Sequence, residues 1–105
     1  MRGFLFRLIP PRPDFVPTMS ADERNTMTEH VAYWSGLIHQ GKVVAFGPVD
    51  DPRMPHGIGI VLAEDLQAAE SLRDGDPAMI SSHGFRTEII PMPHLVTPGG
   101  SYDGG

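Results

Sequence analysis

The chain contains no cysteine. That removes disulfide scaffolds, thiolate nucleophiles, zinc ribbons and iron–sulfur clusters in one step. Basic residues are scarce as well: eight Lys and Arg stand against thirteen Asp and Glu, for a formal net charge of -5. A binder of the phosphate backbone needs a basic stripe that neutralises several phosphates, and none is present, so nucleic acid is not an expected partner. No run approaches the roughly 20 apolar residues that cross a bilayer. The opening MRGFLFRLIPP is broken by Arg7 and Pro10 and lacks the apolar stretch and cleavage pattern of a secretory signal. A cytoplasmic protein with no membrane segment is the expectation.

With 105 residues there is room for one domain and a modest core, which excludes a multidomain enzyme. Twelve Gly and eleven Pro assign about a fifth of the chain to turns, loops or tails. Residues 3–9 read as a strand, with Phe4, Phe6 and Leu8 on one face and Leu5, Arg7 and Ile9 on the other. Pro10, Pro11, Pro13 and Pro17 hold an extended loop. Ser20 and Glu23 then have capping-box spacing, and the helix that starts there is expected to run to about Gln40, with Gly41 as its left-handed stop. Residues 42–49 and 57–64 are β-prone runs joined by a turn-rich connection. Residues 65–74 return to helical spacing through Leu66, Ala69 and Leu72, with Asp65 as cap. Gly75-Asp76-Pro77 ends that helix and begins a short turn through Ile80, and residues 84–92 form a last strand.

The order βαββαβ predicts an α+β, ferredoxin-like unit, in which a four-stranded antiparallel sheet carries both helices on one face. Its other face, with Leu5, Ile9 and Ile90, would leave apolar surface in water. A homodimer packed through the sheets is therefore expected. Residues 1–93 make up this domain. Residues 94–105, ending in TPGGSYDGG, have no periodicity and are expected to be a flexible Gly-rich tail.

Of the five histidines, His30 and His39 are separated by helical geometry. At ~100° per residue, Leu37, Trp34, Met27, Tyr33 and Ile38 all fall within about 80° of His30, whereas His39 lies on the opposite, solvated face. An imidazole in an apolar stripe needs a hydrogen-bond partner. Asp76 is a candidate, because the two helices share a sheet face and the second ends at this residue. A carboxylate on one ring nitrogen fixes the tautomer and leaves the other as a base. Asp76 can equally cap the turn that follows it. Tyr33 and Trp34 beside His30 can be core, or an aromatic wall for a planar substrate.

The ordered set of His30, Leu37, Gly41-Lys42, Ala45-Phe46-Gly47-Pro48, Gly57 with the strand that follows, Asp76-Pro77 and the strand from Gly84 to Pro91 resembles the YCII-related domain family. The resemblance spans residues 1–93. It implies a ferredoxin-like fold of the dimeric α/β-barrel type, a His–Asp pair mapping onto His30 and Asp76, and a pocket at the sheet end that needs no metal or organic cofactor. Among the members is a dehydrochlorinase acting on a chlorinated hydroxyhydroquinone. The loop of residues 10–17 and the Gly-rich tail depart from the shortest members, and both are expected to be able to reshape the pocket mouth.

Rival sites are weaker. No two His have the i, i+4 spacing of a helical metal site. Asp50 and Asp51 read as turn residues. His56 and His83 precede glycines at strand starts; either can lean over the pocket, but solvated turn residues are the favoured reading. The sequence therefore points to a cofactor-free lyase or isomerase. In it His30, oriented by Asp76, moves a proton on a small cyclic or aromatic molecule, and Gly47 and Pro48 shape the pocket wall. The alternatives are a non-catalytic small-molecule-binding or assembly domain, in which the pair only satisfies a buried ring, and a cofactor-free monooxygenase of the dimeric barrel type.

Overall fold

The computed structural model describes residues 1–104. Four strands, β1 (Arg2–Ile9), β2 (Val43–Val49), β3 (His56–Ala63) and β4 (Arg86–Met92), form one antiparallel sheet in the order β2-β3-β1-β4. Two longer helices, α2 (Ala21–His39) and α3 (Leu66–Asp74), connect them, and a single turn, α4 (Pro77–Ile80), follows α3. This is the α+β, ferredoxin-like arrangement read from the sequence.

Strand alternation decides which residues meet the helices. Phe4 pairs with Val61 and Pro91, and Phe6 pairs with Gly59 and Ile89, so these positions share one sheet face. On that face Phe4, Phe6, Val61 and Ala63 pack with Trp34 and Leu37 of α2 and Ala69 of α3 as the main core. The capping box at Ser20 and Glu23 is complete, with Ser20 Oγ accepting from the Glu23 N–H and Glu23 accepting from the Ser20 N–H. Gly41 has φ of 74°, the left-handed stop expected after the helix.

Two segments differ from expectation. The proline-rich loop contains a helical turn, α1 (Phe15–Thr18), whose Phe15 is buried with Ala78 and Phe85 in a second small cluster. Pro17 falls within the first turn, where a missing N–H costs no helical hydrogen bond. Arg12 ties the segment down: its guanidinium donates to both carboxylate oxygens of Glu23 at 2.8 Å and to the Thr18 carbonyl and hydroxyl, also at 2.8 Å.

The second difference is at the C-terminal end. Instead of a flexible tail, the residues after position 93 form a hairpin of β5 (His94–Thr97) and β6 (Gly100–Asp103) around Pro98-Gly99. Its anchor is Leu95, only 8% exposed, which lies over Gly3 so closely that a Cβ there would come within 2.8 Å of Leu95 Cδ2. Two adjacent apolar residues in a four-residue strand, of which only Leu95 is buried, produce no readable period. Its burial depends on a glycine 92 positions away in β1. The hairpin covers the open sheet face at Gly3. Further along that face Leu5 and Ile60 are half-buried, Ile58 and Ile90 are exposed, and Arg7 pairs with Glu88 at 3.3 Å.

Candidate functional site

His30 sits mid-way along α2, and Asp76 lies in the bend between α3 and α4. Asp76 caps α4 by accepting the Ala78 N–H at 2.9 Å, and Pro77 in the first helical position has no N–H to compete. The same carboxylate is 2% exposed and faces α2. His30 Nδ1 is 2.9 Å from both of its oxygens, and the Trp34 indole N–H donates to Oδ2 at 2.8 Å. Capping and pairing with His30, set against each other in the sequence, are thus both made by one carboxylate.

This arrangement determines the tautomer. The two oxygens of Asp76 are acceptors, so Nδ1 carries the proton and donates it, and the lone pair of the neutral ring lies on Nε2. Among the described residues nothing hydrogen-bonds Nε2. Among the described residues no buried side-chain polar atom lacks a partner, so Nε2 is accessible. His30, Trp34 and Asp76 line a cavity of about 460 Å³. The other walls are mostly apolar: Phe6 and Leu8 from β1, Phe46, Gly47 and Pro48 from β2, and Pro13, Phe15 and Val16 from the proline-rich segment.

The structure brings together His30, Asp76, Trp34, Gly47 and Pro48. It does not bring Tyr33 to the cavity, and that expectation is corrected. The Tyr33 hydroxyl donates to the Leu72 carbonyl at 2.7 Å and lies against Gly75, where a Cβ would come within 2.7 Å of it. Burial and, secondarily, the negative charge of Asp76 push its phenol above the ordinary value. Tyr33 therefore fastens α2 to the end of α3. Trp34 lines the cavity, but its N–H is committed to Asp76, which leaves the ring as an apolar wall.

The remaining histidines separate. His39 is exposed, as expected. His83 takes Thr26 as its Nε2 partner at 3.1 Å and packs edge-on against Phe85. His56 is not the solvated turn residue expected. It is half-buried, lines the same cavity as His30, and its Nδ1 is 2.9 Å from the Met54 carbonyl. Among the described residues no group of three or more His, Asp or Glu converges as a metal site would require, and no helix is long and apolar enough to cross a membrane.

One contributor was missed in the sequence. Gly59 was read only as strand, yet a Cβ there would lie 2.3 Å from Trp34 Cζ3: this glycine is the seat of the indole. Glycine inside a strand is the signal that could have revealed the close approach. The proline-rich segment, expected to reshape the pocket mouth, lines the cavity through Pro13, Phe15 and Val16. It is tied down by Arg12, eleven residues before the buried Glu23. The Arg12 guanidinium and the Ser20 N–H hold the Glu23 carboxyl down at about 2.

The YCII-related domain profile matches residues 4–93. No curated protein matches the chain. Among solved structures, the chain is similar to the 5-chloro-2-hydroxyhydroquinone dehydrochlorinase (TftG) from Burkholderia phenoliruptrix AC1100 in its complex with 2,5-dihydroxybenzoquinone. The TM-score is 0.61 at 20% identity, covering 88% of this chain and 95% of that one. At that identity the likeness concerns the fold.

Proposed function

The chain belongs to the YCII-related domain family, and within it we propose a cofactor-free enzyme of lyase or isomerase type, in which Nε2 of His30 removes a proton from a small cyclic or aromatic molecule. The observation that carries this reading is the pairing of His30 Nδ1 with the buried Asp76 at 2.9 Å, together with an unpartnered Nε2 at an apolar cavity. As Nε2 takes the proton, the ring becomes an imidazolium beside a carboxylate that cannot be screened by water. The electron pair left on the substrate expels a leaving group on the adjacent carbon or moves into a conjugated carbonyl. In the second case the proton returns at another position. Asp76 stays an acceptor throughout and acts as a positioning residue. The similar dehydrochlorinase, named for loss of hydrogen chloride from a chlorinated hydroquinone, makes halogenated quinols the first substrates to try.

The open sheet face belongs to the same reading. Ile58 and Ile90 are exposed there, and a second copy packed on that face would complete the dimeric α/β barrel.

The test is chloride release from a panel of chlorinated quinols, combined with imidazole nitrogen NMR. Positioned bases contribute roughly 10²–10⁴-fold, so His30→Ala should lower turnover by that factor. Asp76→Asn should shift His30 away from the Nδ1–H tautomer, because an asparagine amide can donate to Nδ1 as well as accept. Unchanged turnover in His30→Ala, or an unchanged tautomer in Asp76→Asn, would sink the proposal.

A further inference from the structure

Two histidines, not one, line the cavity, and both have their tautomer set by the same device. His56 stands at the start of β3, with its Nδ1 2.9 Å from the Met54 carbonyl of the preceding turn. A carbonyl oxygen only accepts, so Nδ1 carries the proton and the lone pair of the neutral ring lies on Nε2. Among the described residues no group hydrogen-bonds this Nε2, and it is not a buried orphan. Asp50 also lines the cavity, and among the described residues it forms no ion pair with His56. The ring is therefore held by a local bond while its second nitrogen stays free.

Size bears on what occupies the space. A cavity of ~150 Å³ lined by aliphatic and aromatic side chains accommodates a benzene ring. The cavity of about 460 Å³ here is roughly three times that, so a single ring beside His30 leaves most of it empty. Pro13, Phe15 and Val16 of the proline-rich segment add apolar side chains to its lining.

We propose that His56 is the second polar anchor of this cavity, so that its ligand is an apolar body larger than one ring, with hydrogen-bonding positions at two ends, one met by Nε2 of His30 and the other by Nε2 of His56. The neutral ring accepts a phenolic or enolic hydroxyl, and the protonated ring donates to a carbonyl. This rests on the cavity being the site at which His30 acts, and it adds the substrate class: a fused or substituted ring system bearing two oxygens.

The experiment compares 2-naphthol, with one hydroxyl, and naphthalene-2,6-diol, with hydroxyls at opposite ends, by calorimetric titration of wild type, His56→Ala and His30→Ala. One additional hydrogen bond should make the diol bind roughly three- to tenfold tighter than 2-naphthol in wild type. That advantage, taken as the ratio of the two affinities for the same protein, should vanish in His56→Ala. In the wild type, the His56 Nε2 nitrogen resonance should move with the diol and not with 2-naphthol, a readout independent of how well the variant folds. Equal binding of the two ligands to wild type, an advantage retained in His56→Ala, a silent His56 resonance, or no binding of either at millimolar concentration would each overturn the proposal. Failure of the proton-transfer reading looks different: His30→Ala would release chloride from the quinol panel as fast as wild type, while the advantage of the diol still depended on His56.

Discussion

The chain carries two His–Asp pairs that match in chemistry and differ in surroundings. In the first, His30 and Asp76 side chains are 12% and 3% exposed; in the second, His94 and Asp103, facing each other across the β5–β6 hairpin, are 61% and 73% exposed. Asp76 also accepts from Trp34 and from the Ala78 N–H, whereas among the described residues Asp103 has His94 as its one side-chain partner. An ion pair in water is screened and weak. A buried carboxylate meeting three N–H donors cannot be removed without stranding all three. Arg12 and Glu23 make an intermediate case, with a buried acid and a partly exposed base joined by two bonds of 2.8 Å. Burial and the count of donors, more than the residue types, separate a pair able to hold a site from one that decorates a surface.

The comparison is broken most directly by deleting each acid. Asp76→Ala should cost about 3–5 kcal/mol, since it strands a buried ring N–H, an indole N–H and a helix cap together. Urea unfolding followed by the single tryptophan measures it, and a loss under 1 kcal/mol would put the first pair in the same class as the second. Next in size is Gly59→Ala. Its new Cβ would meet Trp34 at 2.3 Å and displace the indole from both the core and Asp76, with an overpacking cost of about 1–3 kcal/mol and a shift of the His30 ring resonances. Stability without change at His30 would show that Trp34 and the pair are independent.

The third prediction concerns pH. The folded Glu23 carboxyl is depressed to about 2 from its ordinary 4.5, so the stability it contributes is fully present above pH 4.5 and is lost as pH falls from there toward 2. Glu23→Gln should be less stable at neutral pH and should lack that part of the acid slope. Parallel curves for variant and wild type would remove the Arg12–Glu23 pair from the account of acid unfolding. The smallest effect belongs to Asp103→Ala, within about 0.5 kcal/mol and falling further at high salt. A larger loss would mean that the hairpin is held by its ion pair as well as by Leu95.

Much of this was legible beforehand because the signals are local. The capping box at Ser20 and Glu23, the stop at Gly41 and the cap at Asp65 each involve residues within a few positions of one another, and each appears in the structure where its spacing put it. His30 could be placed on an apolar arc because α2 is long and its period is regular. Tyr33 was misjudged on the same wheel. It falls on the other side of the arc from Trp34, and a wheel does not say which flank meets a cavity and which meets a neighbouring helix. His56 and the β5–β6 hairpin escaped for a related reason. Each owes its burial to residues far away in sequence: the rest of the cavity for the imidazole, and Gly3 for Leu95.

By itself the sequence determined the βαββαβ order of the main elements and the exclusion of thiol chemistry, because these follow from periodicity, caps and composition, which can be read without knowing what packs against what. Only the tertiary structure decided that Asp76 caps a turn and holds His30 at once, that Trp34 rests on Gly59, and that a proline-rich segment lines a cavity shared by His30 and His56. Those are distances between side chains carried on different elements. They are set by how helices pack on the sheet, and no single stretch of chain contains that information.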